Sequence, residues 1–421
     1  MPHSRAQATA AIVAAWLVTA VYYFLQYVLR STPAVMMPEL ADGFGIAAAG
    51  VASLVGLFYW GYAPFHLVAG VAMDQLGPRR VVPIGAAVMG VGAIFFASGH
   101  AAIGGAGRFL QGAGGAFAMV GAAYIAVTYF PANRAATLIG ATQMFGMAGG
   151  SAGQFVVGPL IAAGVAWSVV WLGLGIAAVA VAALLPFMLP AQHRRRDPAW
   201  LRKALGALAL VFRNPQSLLC GAIAGLLFVP TTIFDMVWGV RYLQDAHGFD
   251  YPNAVLRSST VPLGWIIGCP LLGLASDRLG RRKPVILGAA LALFGCLAWI
   301  LFGPREVLPP YMLGLVTGVV SGAAMLPYTV IKEANPPHVS GTTTGVIGFL
   351  NFTVTALLGP VFAGRLLTGG DTGGAGLPTY QAAFEPLLYG VGLAIVLTLL
   401  LKETGPAVAV AAAHARRRPP G

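Results

Sequence analysis

Residues 70–80 read GVAMDQLGPRR, and residues 273–283 read GLASDRLGRRK. Each is a short charged turn set between long apolar runs. Adding 203 carries Gly61, Gly70, Asp74, Gly77, Arg79, Arg80 and Gly85 onto Gly264, Gly273, Asp277, Gly280, Arg282, Lys283 and Gly288. Matches of like residues at one offset mark an internal repeat: the chain is two copies of one plan.

The runs around the turns say which plan. The 421 residues are 58% hydrophobic and 9% charged, where a soluble domain carries about a quarter charged residues. Windows such as 81–98 and 387–401 contain no charge. Hydropathy and length give about twelve segments of bilayer length, the first near 10–34, the seventh near 216–242 and the eighth near 257–276. Glycine and proline fall inside many of them, as lipid-embedded helices tolerate. The first run is too long for a signal-peptide core and reads as a retained helix.

Basic residues set the orientation. With the amino terminus in the cytoplasm, most Lys and Arg outside the spans fall on the inner side, and the other side holds only Arg241, Arg257, Arg305 and Arg365. This is the positive-inside pattern, so the net charge of +12 needs no nucleic-acid partner; the basic residues are parcelled among short loops. The one long hydrophilic connection, 191–215, is basic and partly amphipathic and is expected to lie on the inner membrane surface. It separates a six-helix bundle over 1–190 from a second over 216–403, with a basic cytoplasmic tail over 404–421. The expected fold is an all-α membrane protein of twelve helices in two pseudo-symmetric bundles, a transporter plan. A monomer in a bacterial inner membrane is expected.

Here the residues resemble a family. The pattern G-x-x-x-D-x-x-G-x-R-R at Gly70, Asp74, Gly77, Arg79 and Arg80, echoed at Gly273, Asp277, Gly280, Arg282 and Lys283, resembles the loop signature of the major facilitator superfamily. RFLQGAGGA from Arg108 is similar to that family's fourth-helix motif. GGSAGQFVVGP from Gly149 is similar to its fifth-helix glycine motif, although Ala162 and Ala163 stand where that motif closes with two glycines. YYFLQYVLRSTPAVMMPEL is more loosely similar to the first helix of phagosomal-type carriers of amino acids and nucleosides. The resemblance implies alternating access with a site between the bundles and, through Arg108, a part in proton coupling.

The residue types give physical reasons of their own. Gly77 and Gly280 permit tight reversals, and Asp74 and Asp277 can pair with Arg79 and Arg282 or cap a helix, latching one bundle to the other or only fixing topology. Gly146, Gly149, Gly150 and Gly153 let a neighbour approach the fifth helix closely.

Charges inside a bilayer are expensive, so those in the spans are site candidates. Tyr22, Gln26 and Arg30 recur every four residues, share one helical face and are expected on a cavity wall. Arg30 suits bidentate capture of a carboxylate. Asp235, one turn before Trp238 and just after Pro230, sits at similar depth on the seventh helix. Either Arg30 binds a substrate anion in competition with Asp235, or the two form a permanent ion pair. His66 is a proton-responsive or a packing histidine, and Arg108 a coupling or a snorkelling arginine. Lys332 and Glu333 are expected in an inner-gate ion pair with the fourth or fifth helix. Gln111, Tyr124, Gln143, Tyr328 and Asn351 are further candidates for the cavity.

Enzymatic constellations are absent. No phosphate loop ends in Gly-Lys-Ser/Thr, and Cys220, Cys269 and Cys296 lack metal-ligand spacing, so no cofactor or metal is expected. The expected function is secondary transport of a small organic solute (an amino acid, peptide or organic anion), coupled to protons or to a counter-solute. A drug or siderophore exporter is the alternative, and a non-transporting membrane scaffold or sensor is the alternative of another class.

Overall fold

A computed structural model describes residues 2–130, 132–189, 200–304, 311–336, 339–368 and 376–405. Residues 191–199 of the connection and 406–421 of the tail lie outside them. The described residues are helical, with no strand among them. Six helices long and apolar enough to cross a membrane make the first bundle: Ala10–Val35, Ala48–Met73, Pro78–Phe96, Ala101–Ala126, Gly140–Ala162 and Trp167–Met188. Six more make the second: Pro215–His247, Tyr251–Leu279, Lys283–Phe302, Met312–Glu333, Gly341–Leu366 and Leu377–Leu400. They are numbered below as the first to the twelfth span.

Both charged turns form as their glycines require. Gly77 and Gly280 sit at φ of 74° and 67°, backbone that side chains with a Cβ avoid. These turns mark one end of the molecule, the hairpin end; the opposite end is called the far end. The eighth span begins at Tyr251, earlier than hydropathy suggests, and Arg257 inside it packs on Phe249 with 4.1 Å from Cζ to the ring centroid. Asp250 caps the new start, and the Asn253 amide bonded to it at 2.6 Å holds its carboxyl below the usual range.

Lipid gives helices no hydrophobic reason to associate, so packing depends on close approach of small residues. A Cβ on Gly112 would lie 1.9 Å from the Phe58 carbonyl oxygen, and one on Gly61 would lie 2.2 Å from that of Phe109. The second bundle repeats this crossing: Gly318 would meet Val261 O at 2.0 Å and Gly264 would meet Leu315 O at 2.2 Å. The second and eighth spans therefore correspond at the offset of 203, as 61 to 264 and 58 to 261. The fourth and tenth correspond at 206, as 109 to 315 and 112 to 318. Gly149 brings the fifth span onto the first, where a Cβ would meet Phe24 O at 2.2 Å.

The bundles meet mainly through the second span against the eleventh and the fifth against the eighth. Toward the far end Tyr251 donates its hydroxyl across the seam to Val35 O at 2.6 Å. Deeper, Ser151 donates to Ser259 O at 3.0 Å and Tyr59 to Thr232 O at 3.3 Å. Helix Trp200–Arg213, from the connection, packs on the eleventh span through Phe212 and Phe349.

Candidate functional site

Between the bundles lies a cavity of about 20 Å³, room for about one water. Both halves line it: Tyr23, Tyr27, Tyr62, His66 and Gln143 from the first, and Phe228, Tyr328, Asn351 and Phe352 from the second. The Tyr23 hydroxyl donates to Gln143 Oε1 at 3.1 Å, and Gln143 Nε2 donates to the Tyr27 hydroxyl at 3.4 Å. Across the cavity Asn351 Nδ2 donates to the Tyr328 hydroxyl at 3.0 Å. Asn351 Oδ1 is buried with no hydrogen-bond partner.

Arg30 stands one layer behind this wall, 1% exposed. Its guanidinium carbon lies 4.2 Å from the Tyr27 ring centroid, 4.6 Å from Tyr62 and 5.1 Å from Phe352. Phe58 at 5.2 Å and Tyr59 at 5.7 Å complete the ring. Faces of aromatic rings attract a cation, so the five together offset part of the loss of water. In the orientation that satisfies both groups, the Gln26 amide oxygen accepts from Arg30 Nη2 at 2.7 Å and Nε at 3.2 Å. Nη1 has no partner. Among the described residues no carboxylate pairs with Arg30.

Asp235 in particular does not. The seventh span widens into π-helical turns over Pro230–Trp238, where Pro230 supplies no amide hydrogen to an ordinary ladder. This turns Asp235 toward the eighth span, where its Oδ1 accepts from Ser258 Oγ at 2.9 Å. Trp238 is buried at the end of the same turns. The pairing of Arg30 with Asp235 entertained from the sequence is therefore not made.

Other candidates divide between cavity and bundle interior. His66 lines the cavity, stacks on Phe352 at 5.4 Å and has Nδ1 2.8 Å from Tyr62 O. Tyr22 faces away, donating to Gly114 O; of the expected wall, the neighbouring stripe Tyr23 and Tyr27 faces the gap. Gln111 is also interior: its Oε1 accepts from Arg108 Nη1 at 2.7 Å and its Nε2 donates to Gly92 O at 3.1 Å. Arg108, 1% exposed, donates to Leu29 O at 3.0 Å and Val55 O at 3.4 Å, so it does not snorkel. Tyr124 is half-buried and does not line the cavity. The aromatics Phe58, Tyr59 and Tyr62 were not expected; their signal is the run FYWGY at 58–62.

At the hairpin end, Arg282 donates to Asp277 Oδ1 at 2.5 Å and Glu333 Oε1 at 3.0 Å, and to Ser276 Oγ at 2.9 Å. Partial burial works against its charge, but Glu333 and Asp277 more than offset this and raise its pKa above the usual arginine value. Glu403 caps the ninth span, accepting from the amides of Arg282 and Lys283 at 2.8 and 3.1 Å. Every one of these partners belongs to the second bundle. The expected pairing of Glu333 with the fourth or fifth span is replaced by one with Arg282, which the turn at Gly280 delivers beside the end of the tenth span; Lys332 makes no ion pair among the described residues. Among the described residues, the second turn's latch holds its own bundle rather than bridging two. In the first bundle Arg79 and Arg80 are exposed, and the Asp74 side chain lies outside those described. Gly70 and Gly273 are open: a Cβ on Gly70 would come no closer than 3.9 Å to Gly341 O, and one on Gly273 would touch nothing within 4 Å.

Twelve apolar spans in two repeated bundles about a central cavity that tyrosines, a histidine and amide side chains help to line define a multi-pass membrane carrier. The family model for the major facilitator superfamily matches residues 19–360, and the chain belongs to that superfamily; its relatives include transporters and a membrane sensor protein of Salmonella typhimurium. It is 23% identical over 381 residues to a probable sulfoacetate transporter of Cupriavidus necator, covering 85% of this chain and 87% of that one. It is 26% identical over 400 residues to a hexuronate transporter of Bacillus subtilis, covering 89% and 90%. Its fold is similar to the structure of a proton:xylose symporter, with a TM-score of 0.70 at 15% identity over 94% of this chain and 97% of that one.

Proposed function

We propose that this transporter carries a small organic anion, bearing a carboxylate or sulfonate, by alternating access, with Arg30 as the anion's ligand. One observation carries the reading. Arg30 is a buried cation with no carboxylate partner and with Nη1 unbonded, in a setting where an uncompensated charge is costly. A substrate anion supplies the missing counter-charge. Tyr27 and Tyr62 separate the guanidinium from the central cavity, so the anion reaches it when these rings move as the bundles rock. Two of the similar proteins named above, the probable sulfoacetate transporter and the hexuronate transporter, are named for anions, which supports a cationic ligand in the site.

The tyrosines, Gln143, Tyr328 and Asn351 offer hydroxyl and amide partners for the rest of the solute. His66, the titratable group on the cavity wall besides the tyrosines, is the proposed link to protons or a counter-solute. By the distribution of Lys and Arg, the hairpin end and both termini face the cytoplasm of a bacterial inner membrane.

The test is counterflow in proteoliposomes with sulfoacetate, glucuronate, amino acids, dipeptides and xylose, comparing the wild type with Arg30→Ala. An anion is expected to exchange in the wild type and to lose at least about tenfold in apparent affinity in the variant, the loss of one charged hydrogen bond. Exchange of neutral xylose alone, indifferent to Arg30→Ala, would sink the reading. Stable protein with no flux for any solute would favour a sensor.

A further inference from the structure

A second cavity, about 120 Å³, lies within the second bundle near the far end. Phe234 and Asp235 of the seventh span line it, with Ser258 and Val261 of the eighth, Trp299 of the ninth and Gly314 of the tenth. The repeat gives this place a counterpart. At the offset of 203, Val55 and Phe58 become Ser258 and Val261, and Phe96 becomes Trp299. At the offset of 206 that the Gly112 and Gly318 crossings fix for the fourth and tenth spans, Arg108 becomes Gly314.

In the first bundle those positions surround a guanidinium. Arg108 donates to Val55 O and, on the first span, to Leu29 O, and its Cζ lies 5.1 Å from the Phe58 ring and 5.6 Å from that of Phe96. In the second bundle glycine replaces the arginine, and the volume that the side chain fills in one half is cavity in the other. The place has also gained an acid. Asp235 is 4% exposed; Ser258 holds its Oδ1, while Oδ2 is buried with no partner. The other charged side chain lining the cavity, Arg257, packs on Phe249 and makes no ion pair with Asp235.

We propose that this cavity binds a small organic cation, a guanidinium or amidinium with at most a short apolar tail, whose N–H groups meet Asp235 Oδ2 and whose plane packs on Trp299. The size fits: a cavity of about 150 Å³ takes up benzene. The chemistry fits as well, because an acid among aromatic rings attracts a delocalised cation. The site is separate from Arg30 and does not rest on the anion reading.

The test is thermal unfolding of the purified full chain titrated with methylguanidinium and, in parallel, with its neutral analogue methylurea. A ligand of the native state raises the unfolding temperature with saturation. Methylguanidinium is expected to do so, in the wild type and in Arg30→Ala, and methylurea at equal concentration is not. Asp235→Asn is expected to weaken the response at least about tenfold, one charged hydrogen bond. A second variant covers the case in which that one does not fold. Gly314→Arg tethers a guanidinium in the cavity; combined with Thr260→Ala, it avoids the 2.2 Å contact of a new Cβ with Thr260 Oγ1, and it is expected to abolish the response. No response in the wild type, equal responses to the two compounds, or a response unchanged in both variants would overturn the proposal.

Discussion

Gln26→Glu is the sharpest probe of Arg30, because it changes one atom of the group that touches the guanidinium. In the amide orientation that satisfies both groups, the Gln26 oxygen accepts from Nη2 at 2.7 Å and Nε at 3.2 Å. A glutamate of the same shape keeps both hydrogen bonds and adds a negative charge there. Two unit charges about 4 Å apart interact by about 4 kcal/mol at an effective dielectric of about 20. An anion approaching Nη1 of the wild type has that attraction available to it. In the variant it meets a pair of nearly zero net charge and loses half or more of it, about 2–4 kcal/mol, or 30- to 1000-fold in affinity. Folding should change little, because the attraction within the new pair is set against the cost of burying the carboxylate. The assay is titration of purified protein with the anion found in the counterflow screen, followed by thermal shift, with the unfolding temperature of unliganded protein as the control. A folded variant that binds the anion within about threefold of the wild type would show that Arg30 is not its ligand.

Three further perturbations test the frame around the site. Gly112→Ala and Gly318→Ala each drive a Cβ to 1.9–2.0 Å from a backbone oxygen and should destabilise by about 1–3 kcal/mol or more, whereas Gly273→Ala, with nothing within 4 Å, should stay within about 0.5 kcal/mol of neutral or stabilise; thermal unfolding in detergent ranks them, and equal effects would mean the helix crossings are wrongly placed. Arg282→Ala removes bonds to Ser276, Asp277 and Glu333 and should lower stability by about 1–3 kcal/mol, while Arg79→Ala, at the exposed counterpart, should cost less than about 0.5 kcal/mol; matching losses would restore a symmetric latch. Tyr251→Phe deletes the hydroxyl that reaches Val35 O and Gly158 O across the seam, so the far end should open about fivefold more often for about 1 kcal/mol lost. Alkylation rates of a cysteine placed beside Val35 measure this, and an unchanged rate would remove Tyr251 from the closure.

The repeat was legible in the sequence because Gly, Asp and Arg in a tight turn are constrained by the local backbone, and local constraint survives in the letters. The phase of the first helix was not. Tyr22, Gln26 and Arg30 make one stripe at a spacing of four and Tyr23 and Tyr27 make the next; either could face a cavity. What decides is distant: Gly85 leaves the space that the Tyr22 hydroxyl enters and Gly114 O accepts it, and neither adjoins Tyr22 in the chain. The partner of Glu333 was hidden for the same reason, since it depends on where the turn at Gly280 delivers Arg282. A subtler loss concerns the difference between the halves. The offset of 203 holds from the eighth span into the ninth, but three extra residues before the tenth shift it to 206, so Arg108 does not align with Gly314 until the two helix crossings are superposed. Identity between the repeats builds the scaffold, and chemistry sits where identity fails, as at Arg108 against Gly314. One bundle thus carries two buried cations with no carboxylate partner, and the other a buried carboxylate with no cation. With an anion at Arg30 and a cation at Asp235, as proposed, a carrier divided in this way would distinguish its ligands by charge at the level of the bundle.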